Sequence, residues 1–388
     1  MNNLIYLDNS ATSFPKPDSV YDFMCNFYKT KGVSPGRTGF DAAIETEEMV
    51  AQTRRMLMEL FNGDGDPNRL TFSYNASDSL NMIINGLAEK GDHVISTMLE
   101  HNSVLRPLYH LEQDGIIEVE YVPFDKITGY IDPEDIKRRI KKNTRMVVMN
   151  HCSNVLGTVQ PIGEVGKICK EAGVLFIVDG SQSAGAVKVD MQAMGIDAFV
   201  FTGHKCLMGP TGIGGSYVMK DVPVRSTRFG GTGVRSAQRS HLTEFPYRLE
   251  CGTLNLLGVA GLHAGVKWIT EQGIENLHRK EMDLWDKMRS EIQKIENVTT
   301  YCAVNRDHKN PVLSLNVNGF ESGDVGTMLD VDYNIACRTG LQCAPFVHQH
   351  LGTDLIHGTV RLSIGPFTLE KDVDAAIQAI QEIADFRK

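Results

Sequence analysis

The sequence predicts an α/β protein in which helices cover a mainly parallel sheet, with a smaller second domain after it. Short apolar runs of strand length alternate with helix-like stretches through the middle of the chain, as in repeated β–α–β units. At 388 residues the chain is too long for one ordinary core. After about Asn255 the alternation gives way to a long helical stretch, which marks the start of the second part.

Each predicted element is an apolar run or an amphipathic stretch. The strands of the large sheet are predicted at 93–98, 116–123, 145–150, 174–179, 198–202 and 214–219, with a helix at 162–173. The second part contains a helical stretch over 256–296, strands at 310–319 and 359–365 and a last helix at 370–386. The predicted domains are 21–255 and 256–388, and residues 1–20 form an extended segment that packs on the smaller domain.

Composition excludes several classes of function. A net charge of -9 argues against a nucleic-acid partner, since phosphate contacts require a basic surface. The sequence has no apolar run long enough to cross a membrane, and its amino terminus lacks the pattern of a signal peptide. The eight cysteines do not have the spacing of metal ligands, so we expect no metal site. Because no signal peptide is predicted, we expect reduced thiols and a cytoplasmic location.

Lys205 follows a predicted strand, is flanked by Thr202 and His204, and precedes the glycine-rich segment MGPTGIGG. A solvated lysine beside a turn is one interpretation. The other involves Asp179, which ends the preceding strand: the amine forms a Schiff base with an aldehyde cofactor, and the carboxylate pairs with a protonated pyridine nitrogen. Gln182 could face the same cavity. Asp179 taken alone could equally be a helix cap.

Other polar residues follow strands in the same way. Ala76 and Ser77 lie where a short strand leads into a helix, whose first amides bind anions, although Ser77 or Asp78 could simply cap that helix. His101 stands beyond another strand, where it either lies against a planar cofactor or is purely structural. Asn154 lies in the loop after the strand at 145–150 and could hydrogen-bond a cofactor or a substrate.

The segment CRTGLQCAP places Arg338 five residues before Cys343. Its glycine and proline predict a loop, and a neighbouring guanidinium favours the reactive thiolate. A cysteine that fills a small buried pocket is the alternative, which suits Cys169 better than Cys343. Arg361 lies in an otherwise apolar strand, where it forms either a structural ion pair or a clamp for a carboxylate ligand.

Taken in order, these motifs resemble the class V aminotransferase family of pyridoxal-phosphate enzymes, and within it the cysteine desulfurases and selenocysteine lyases. The segments are YLDNSAT, EHNSV, SNVLGTVQPI, VDGSQSAG, TGHKCLMGPTGIGG, ECGTLN and RTGLQCAP, and they span essentially the whole chain. The resemblance implies the aspartate-aminotransferase-like fold (fold type I). In that fold a large domain with a mainly parallel seven-stranded sheet is joined to a smaller α+β carboxy-terminal domain.

The resemblance also implies a role for each candidate residue. Lys205 holds pyridoxal 5'-phosphate covalently and transfers protons, Asp179 pairs with the pyridine nitrogen, and His101 stacks on the ring. Further cofactor contacts are implied for Ala76, Ser77, Asn154, Gln182, Thr202, His204 and, across a homodimer interface, Thr253. Substrate contacts are implied for Arg361, Arg338, Asn154 and Arg37. Cys343 is the implied nucleophile.

The implied function is that of a cysteine desulfurase, which converts L-cysteine to L-alanine and leaves sulfur as a persulfide on Cys343 for a possible acceptor protein. Selenocysteine lyase, aminotransferase or C–S lyase activity is the alternative within the family. A nucleotide-binding oxidoreductase is disfavoured because no G-x-G-x-x-G follows the first strand. A non-catalytic protein that has kept the fold is a further alternative. It would not react with cysteine, and the retained lysine, aspartate and cysteine argue against it. Leu341 and Gln342 replace the two histidines that one desulfurase group usually carries before its cysteine, and the loop around Cys343 is short.

Overall fold

The computed structural model describes residues 4–35, 39–304 and 306–386. The helices are α1 (Asp18–Lys31), α2 (Asp41–Leu60), α3 (Ala76–Leu87), α4 (Asn102–Gln113), α5 (Pro133–Arg139), α6 (Ile162–Ala172), α7 (Leu256–Gln272), α8 (Ile274–Ile292), α9 (Ser322–Tyr333), α10 (Pro345–Leu351) and α11 (Glu370–Asp385). The strands are β1 (Ile5–Tyr6), β2 (Leu70–Ser73), β3 (Asp92–Thr97), β4 (Ile117–Val122), β5 (Thr144–Asn150), β6 (Leu175–Asp179), β7 (Ala198–Thr202), β8 (Gly214–Val218), β9 (Val298–Thr300), β10 (Val312–Val317), β11 (Ile335–Ala336) and β12 (Val360–Ser363). Within these ranges, no helix is both long and apolar enough to span a lipid bilayer.

The central sheet has seven strands in the order β2-β8-β7-β6-β5-β3-β4. β8 runs antiparallel to β2 and β7, whereas β7, β6, β5, β3 and β4 are mutually parallel. This confirms the predicted mainly parallel sheet. The chain adds β4 on one side of β3 and then continues on the other side with β5, β6 and β7. The loops after β3 and β5 therefore diverge, which leaves a crevice at the carboxyl edge of the sheet.

Apolar side chains fill both faces of this sheet. The strands β5, β6 and β7 are buried almost throughout, which explains why runs such as VLFIVD lack polar alternation. One face packs against α2, α6 and α7, and the other packs against α3 and α4. The helices thus bury the inner strands on both faces, whereas the edge strand β4 stays partly exposed.

A separate core surrounds a small antiparallel sheet in the order β12-β10-β9. The helices α8, α9 and α11 cover it, and the fully buried Trp285 donates its indole N–H to the carbonyl of Val312 at 2.9 Å. The amino-terminal segment reaches this core, because β1 pairs in parallel with β11 and the Asn9 side chain donates to the carbonyl of Ser363 at 3.0 Å. The segment therefore lies beside β12, the strand that carries Arg361.

The helical stretch predicted at 256–296 is two helices rather than one. α7 ends at Gln272 and α8 begins at Ile274, and Gly273 between them has a φ of 78°. Glycine adopts this left-handed conformation at little cost, and its N–H still bonds to the carbonyl of Ile269 at 3.0 Å. The apolar periodicity continues across the break, which is why the sequence alone did not reveal it.

Candidate active site

One cavity of about 350 Å³ at the carboxyl edge of the central sheet brings together most of the predicted site residues; we call it the Lys205 cavity. Its volume falls in the range typical of small-ligand sites. The predicted residues that line it are Ala76, Ser77, His101, Asn154, Asp179, Gln182, Thr202, His204, Lys205, Arg338, Cys343 and Arg361. Residues spread over almost the whole sequence therefore share one site.

Parallel strands that end at the same edge explain this convergence. Asn150, Asp179 and Thr202 are the last residues of β5, β6 and β7. Asn150 and Asp179 are direct partners in the β5–β6 register. His101 stands just beyond β3, the neighbour of β5 on the other side. The order of polar residues at strand ends in the sequence was therefore the informative signal.

The amino terminus of α3 contributes Ala76 and Ser77 to the wall of the cavity. The helix is capped by Asn75, whose side chain accepts the backbone N–H of Asp78 at 2.9 Å, so the alternative in which Ser77 or Asp78 caps the helix is wrong. Ala76 and Ser77 are the first two helical residues, and amides at these positions have no partner within a helix. Together with the helix dipole they favour a bound anion.

Two other residues that line the cavity each have a buried polar atom without a partner among the described residues. Among the described residues, neither the hydroxyl of Thr202 nor Nδ1 of His204 has a hydrogen-bond partner. Burial, with a further contribution from Lys205, lowers the pKa of His204 to about 4, so its ring is neutral at physiological pH. A buried polar group without a partner is costly, and the acceptor oxygens of a phosphate offer partners to groups that can donate. The residues present therefore fit a phosphorylated cofactor.

Burial and a nearby carboxylate set the charge of Lys205. Burial lowers the pKa of its amine, and Asp179 partly offsets this effect. A larger neutral fraction of the amine follows, and the neutral amine is the form that adds to a carbonyl carbon. Oδ1 of Asp179 accepts the N–H of Ser181 at 2.9 Å and also its hydroxyl. The chain continues in turns over 181–186, so Asp179 does not cap a helix.

His101 is held as a neutral ring at the cavity wall. It is the N-cap of α4, and its Nδ1 accepts the backbone N–H of Ser103 at 3.0 Å. Because Nδ1 accepts, the proton of the neutral ring resides on Nε2. Burial, followed by the charge of Lys205, lowers the pKa of His101 to about 4. The histidine thus has a structural role as a cap in addition to its place in the cavity.

Arg361 takes part in a buried ion pair. Its guanidinium donates to Oδ1 of Asp8 and to the carbonyl of Asn154, both at 2.8 Å. Arg338 binds Oδ2 of the same carboxylate at 2.7 Å. Two guanidinium groups share one carboxylate, which leaves one positive charge in excess beside the cavity. Nε of Arg361 is buried without a partner among the described residues. The structural ion pair is therefore present, and the excess charge favours an anionic ligand.

Two thiols line the cavity, and their environments differ. Cys343 is exposed and lies in the loop between β11 and α10. Cys152 is buried, and burial raises the pKa of its thiol to about 12, so it stays protonated. The thiolate is the nucleophile of cysteine chemistry. Of the two, Cys343 is therefore the one suited to attack a ligand in the cavity.

The family model of class V aminotransferases matches residues 5–376. The chain belongs to this family. A probable cysteine desulfurase of Methanothermobacter thermautotrophicus is 31% identical over 98% of this chain and 94% of the relative. A cysteine desulfurase of Yersinia pseudotuberculosis is 30% identical over 98% of this chain and 93% of its own length. The recognised family is thus confirmed.

Solved structures in the family have the same fold. The apo structure of a cysteine desulfurase from Thermococcus onnurineus matches with a TM-score of 0.92 at 31% identity, over 99% of this chain and 95% of that one. A cysteine desulfurase from Escherichia coli matches with a TM-score of 0.88 at 26% identity, over 98% and 95% of the two chains. The predicted fold class is therefore confirmed.

Two predicted site residues are not placed in the Lys205 cavity. Thr253 lies apart from it and lines a separate surface cavity with Arg54 and Glu250, which form a buried ion pair at 2.8 Å. Its predicted contact with the phosphate of a second subunit stays a prediction. Arg37 lies outside the described residues, so its predicted substrate contact also stays a prediction.

Several cavity residues were missed in the sequence. They include Ser10, Ser103, Asn150, Ser181 and Gln342. Asn150 could have been found, because it ends a predicted strand as Asp179 does. Ser103 and Ser181 each lie two residues after a candidate and hydrogen-bond to it, which a search for short-range caps would have suggested.

Glu100 lies behind the cavity wall as a buried acid. It is fully buried, and its Oε1 accepts the hydroxyl of Thr97 at 2.6 Å and the N–H of Asn150 at 3.0 Å. Burial raises its pKa to about 8, and Asp179 adds to the rise. The carboxyl group is therefore protonated at neutral pH in the folded protein, whereas it is ionised in the unfolded chain.

This difference predicts how Glu100→Gln changes stability with pH. Between the unfolded value of 4.5 and the folded value of about 8, only the unfolded chain releases the proton, so wild-type stability falls as pH rises. The amide cannot ionise, so the variant should gain up to about 1.4 kcal/mol per pH unit over wild type in this window. Urea denaturation at three pH values measures the effect. The exposed Glu59→Gln is the control and should show no such trend.

Removal of the shared carboxylate should destabilise the fold. Asp8→Ala leaves the buried Arg361 without its counter-ion, so we expect the free energy of unfolding to fall by about 3 kcal/mol. Urea denaturation measures this loss against Asp332→Ala, which removes an exposed carboxylate on α9. Equal stability of the two variants would contradict the importance of the ion pair.

Proposed function

We propose that this chain is a pyridoxal-phosphate-dependent cysteine desulfurase. One observation carries the proposal: an exposed thiol, Cys343, lines the same cavity as Lys205 and Asp179. The lysine and the aspartate together suit an aldehyde cofactor with a pyridine ring, and a thiol facing that cofactor suits the transfer of sulfur. The similarity to proteins named cysteine desulfurase supports this choice within the family.

The residues of the cavity would hold the cofactor at its two ends. The amides of Ala76 and Ser77, at the start of α3, would bind the phosphate together with Thr202 and His204, whose buried polar atoms lack a partner among the described residues. Lys205 would provide the covalent attachment. Pyridoxal phosphate, when bound, supplies an electron sink that stabilises the charge left when a bond to the α-carbon of an amino acid breaks.

The protein groups around the reacting atoms then have distinct tasks. Asp179, fixed by Ser181, would hold a proton on the pyridine nitrogen. Lys205, whose pKa is lowered by burial, would be free as an amine to take the α-proton of the substrate and to return it to the product. The excess positive charge of Arg361 and Arg338 would bind the carboxylate of the amino acid.

Cys343 would perform the sulfur transfer. Its thiolate attacks the sulfur of the substrate, a sulfur–sulfur bond forms and the carbon–sulfur bond of the substrate breaks. The electron pair of that bond goes to the β-carbon, which takes up a proton, so L-cysteine and the enzyme thiol become L-alanine and an enzyme persulfide. Cys152 would not compete, because its buried thiol stays protonated.

Substrate comparison on the purified full chain tests this proposal. With L-cysteine we expect alanine and reducible sulfur in equal amounts. Selenocysteine lyase activity would release selenide from L-selenocysteine but little sulfur from L-cysteine. An aminotransferase would produce a keto acid, and a C–S lyase would yield pyruvate with no persulfide. Any of these three product patterns would overturn the proposal.

We also propose a homodimer that works in the cytoplasm. Thr253 lines a surface cavity outside the Lys205 cavity, and α1 and α2 expose Tyr21, Tyr28 and Ile44, a surface suited to a second copy. All eight cysteines are free, which suits a reducing compartment. Light scattering at micromolar concentration should give twice the mass of the chain, and a monomer would contradict the dimer.

A further inference from the structure

The loop that carries Cys343 has an unusual backbone. Gly340, Gln342 and Cys343 have φ values of 90°, 41° and 59°. Glycine adopts such a left-handed conformation readily, but residues with a side chain do so only at a cost in energy. Two such residues in succession persist only where surrounding contacts hold them.

The buried side chain of Gln342 makes three hydrogen bonds. Its amide nitrogen donates to the carbonyl of Thr359 at 2.7 Å. Its amide oxygen accepts from Nε2 of His348 at 2.9 Å and from the hydroxyl of Thr359 at 3.4 Å. The position requires a donor and an acceptor on one short planar group. Glutamine satisfies both requirements, whereas an ionised carboxylate or an apolar side chain does not.

His348 fixes the direction of this network. It is fully buried on α10, and its Nδ1 lies 2.8 Å from the hydroxyl of Thr353. The amide oxygen of Gln342 can only accept, so Nε2 of His348 carries the proton and Nδ1 accepts from Thr353. Burial lowers the pKa of His348 to about 4, so the ring stays neutral. Gln342 is thus anchored both to Thr359, the residue before β12, and to His348 on α10.

The main chain on either side of the thiol is tied to the walls of the cavity. The side chain of Asn154 donates to the carbonyl of Gln342 at 2.7 Å. The N–H of Asn102 donates to the carbonyl of Cys343 at 2.7 Å, next to His101. The carbonyl of Asn154 in turn accepts from Arg361. The loop is therefore linked to the proposed cofactor wall and to the proposed carboxylate clamp.

We propose that Gln342 is a positioning residue that holds the Cys343 thiol stationary at the boundary of the Lys205 cavity. The inference rests on the proposed function and deepens it. The substrate binds with its sulfur next to a thiol that is already in place, and the loop does not change conformation to reach the substrate. Cys343 also lines a second cavity of about 400 Å³ with Arg106 and His110. A thiol held in this position is thus accessible both from the Lys205 cavity and from this second cavity.

The test compares Gln342→Ala and Gln342→Glu with wild type in the full-length holoenzyme. Gln349→Ala is the matched control, because it makes the same substitution at an exposed position of α10. Hydrogen exchange of the Asn102 amide reports how firmly the loop is held, because this N–H donates to the carbonyl of Cys343. Single-turnover persulfide formation reports the reactivity of the Cys343 thiol. In Gln342→Ala we expect exchange to rise about 10-fold and kcat to fall about 10-fold. KM for L-cysteine should change by less than about 2-fold, since the side chain of Gln342 bonds to Thr359 and His348 and not to the proposed carboxylate clamp of Arg361 and Arg338.

Gln342→Glu keeps the shape and the acceptor for His348 but loses the donor to Thr359, so we expect an intermediate loss. It also decides the question if the alanine variant does not fold. Wild-type exchange and kcat in both variants would overturn the proposal, as would a fall of kcat accompanied by a rise in KM and a loss of bound cofactor. If wild type forms no persulfide from cysteine, the proposed function fails, yet hydrogen exchange still decides whether Gln342 holds the loop.

Discussion

Replacement of Lys205 with alanine should abolish alanine production from L-cysteine, with a fall of about 10⁴-fold or more. The variant loses both the covalent anchor of the cofactor and the amine that would move the α-proton. Lys205 is the cavity-lining lysine beside Asp179, and burial lowers its pKa. Amino-acid analysis of the reaction mixture measures the product.

Two controls separate this loss from general damage. Lys167→Ala removes an exposed lysine on α6 and should leave activity unchanged. Borohydride reduction followed by digestion should place a pyridoxyl group on the peptide with Lys205 in wild type and in Lys167→Ala, but not in Lys205→Ala. Substantial alanine production by Lys205→Ala would contradict the role assigned to its amine.

Cys343→Ser should lower sulfur transfer from L-cysteine by about 10³-fold. The hydroxyl keeps the size of the side chain, but it is a far weaker nucleophile toward sulfur. Cofactor content and the absorbance of the bound cofactor should remain those of wild type, because the phosphate end and Lys205 are untouched. Sulfur release measured with a reductant, beside alanine, checks the prediction.

Matched cysteine variants make this prediction specific. Cys25→Ser alters another exposed thiol, on α1, and should retain full sulfur transfer. Cys152→Ser alters the buried thiol of the same cavity, whose pKa is about 12, and should retain persulfide formation on Cys343. Unchanged sulfur transfer in Cys343→Ser would contradict the desulfurase mechanism, although the chain would remain a member of its family.

The predictable part of the site consists of polar residues at strand ends. Asp179 and Thr202 each end a buried apolar run, and Lys205 follows within a few residues. In a parallel sheet such ends meet at one edge, so local patterns suffice to predict that these groups converge. The same logic applied to Asn150 would have added it.

The remaining part depends on contacts between distant segments. Asp8 binds Arg338 and Arg361 across the pairing of β1 with β11, which no local pattern shows. The bond between Gln342 and His348 likewise depends on the path of a loop whose left-handed residues carry side chains. Periodicity could not locate the break at Gly273, because apolar residues continue on both sides of it.

Single-turnover mass spectrometry of the holoenzyme tests the central claim most directly. The full chain is mixed with limiting L-cysteine, quenched, and digested, and the peptides and the released amino acid are quantified. We predict the added mass of one sulfur atom on the peptide that contains Cys343, with one L-alanine for each modified chain. Alanine production with an unmodified Cys343, or sulfur located on another cysteine instead, would contradict the account.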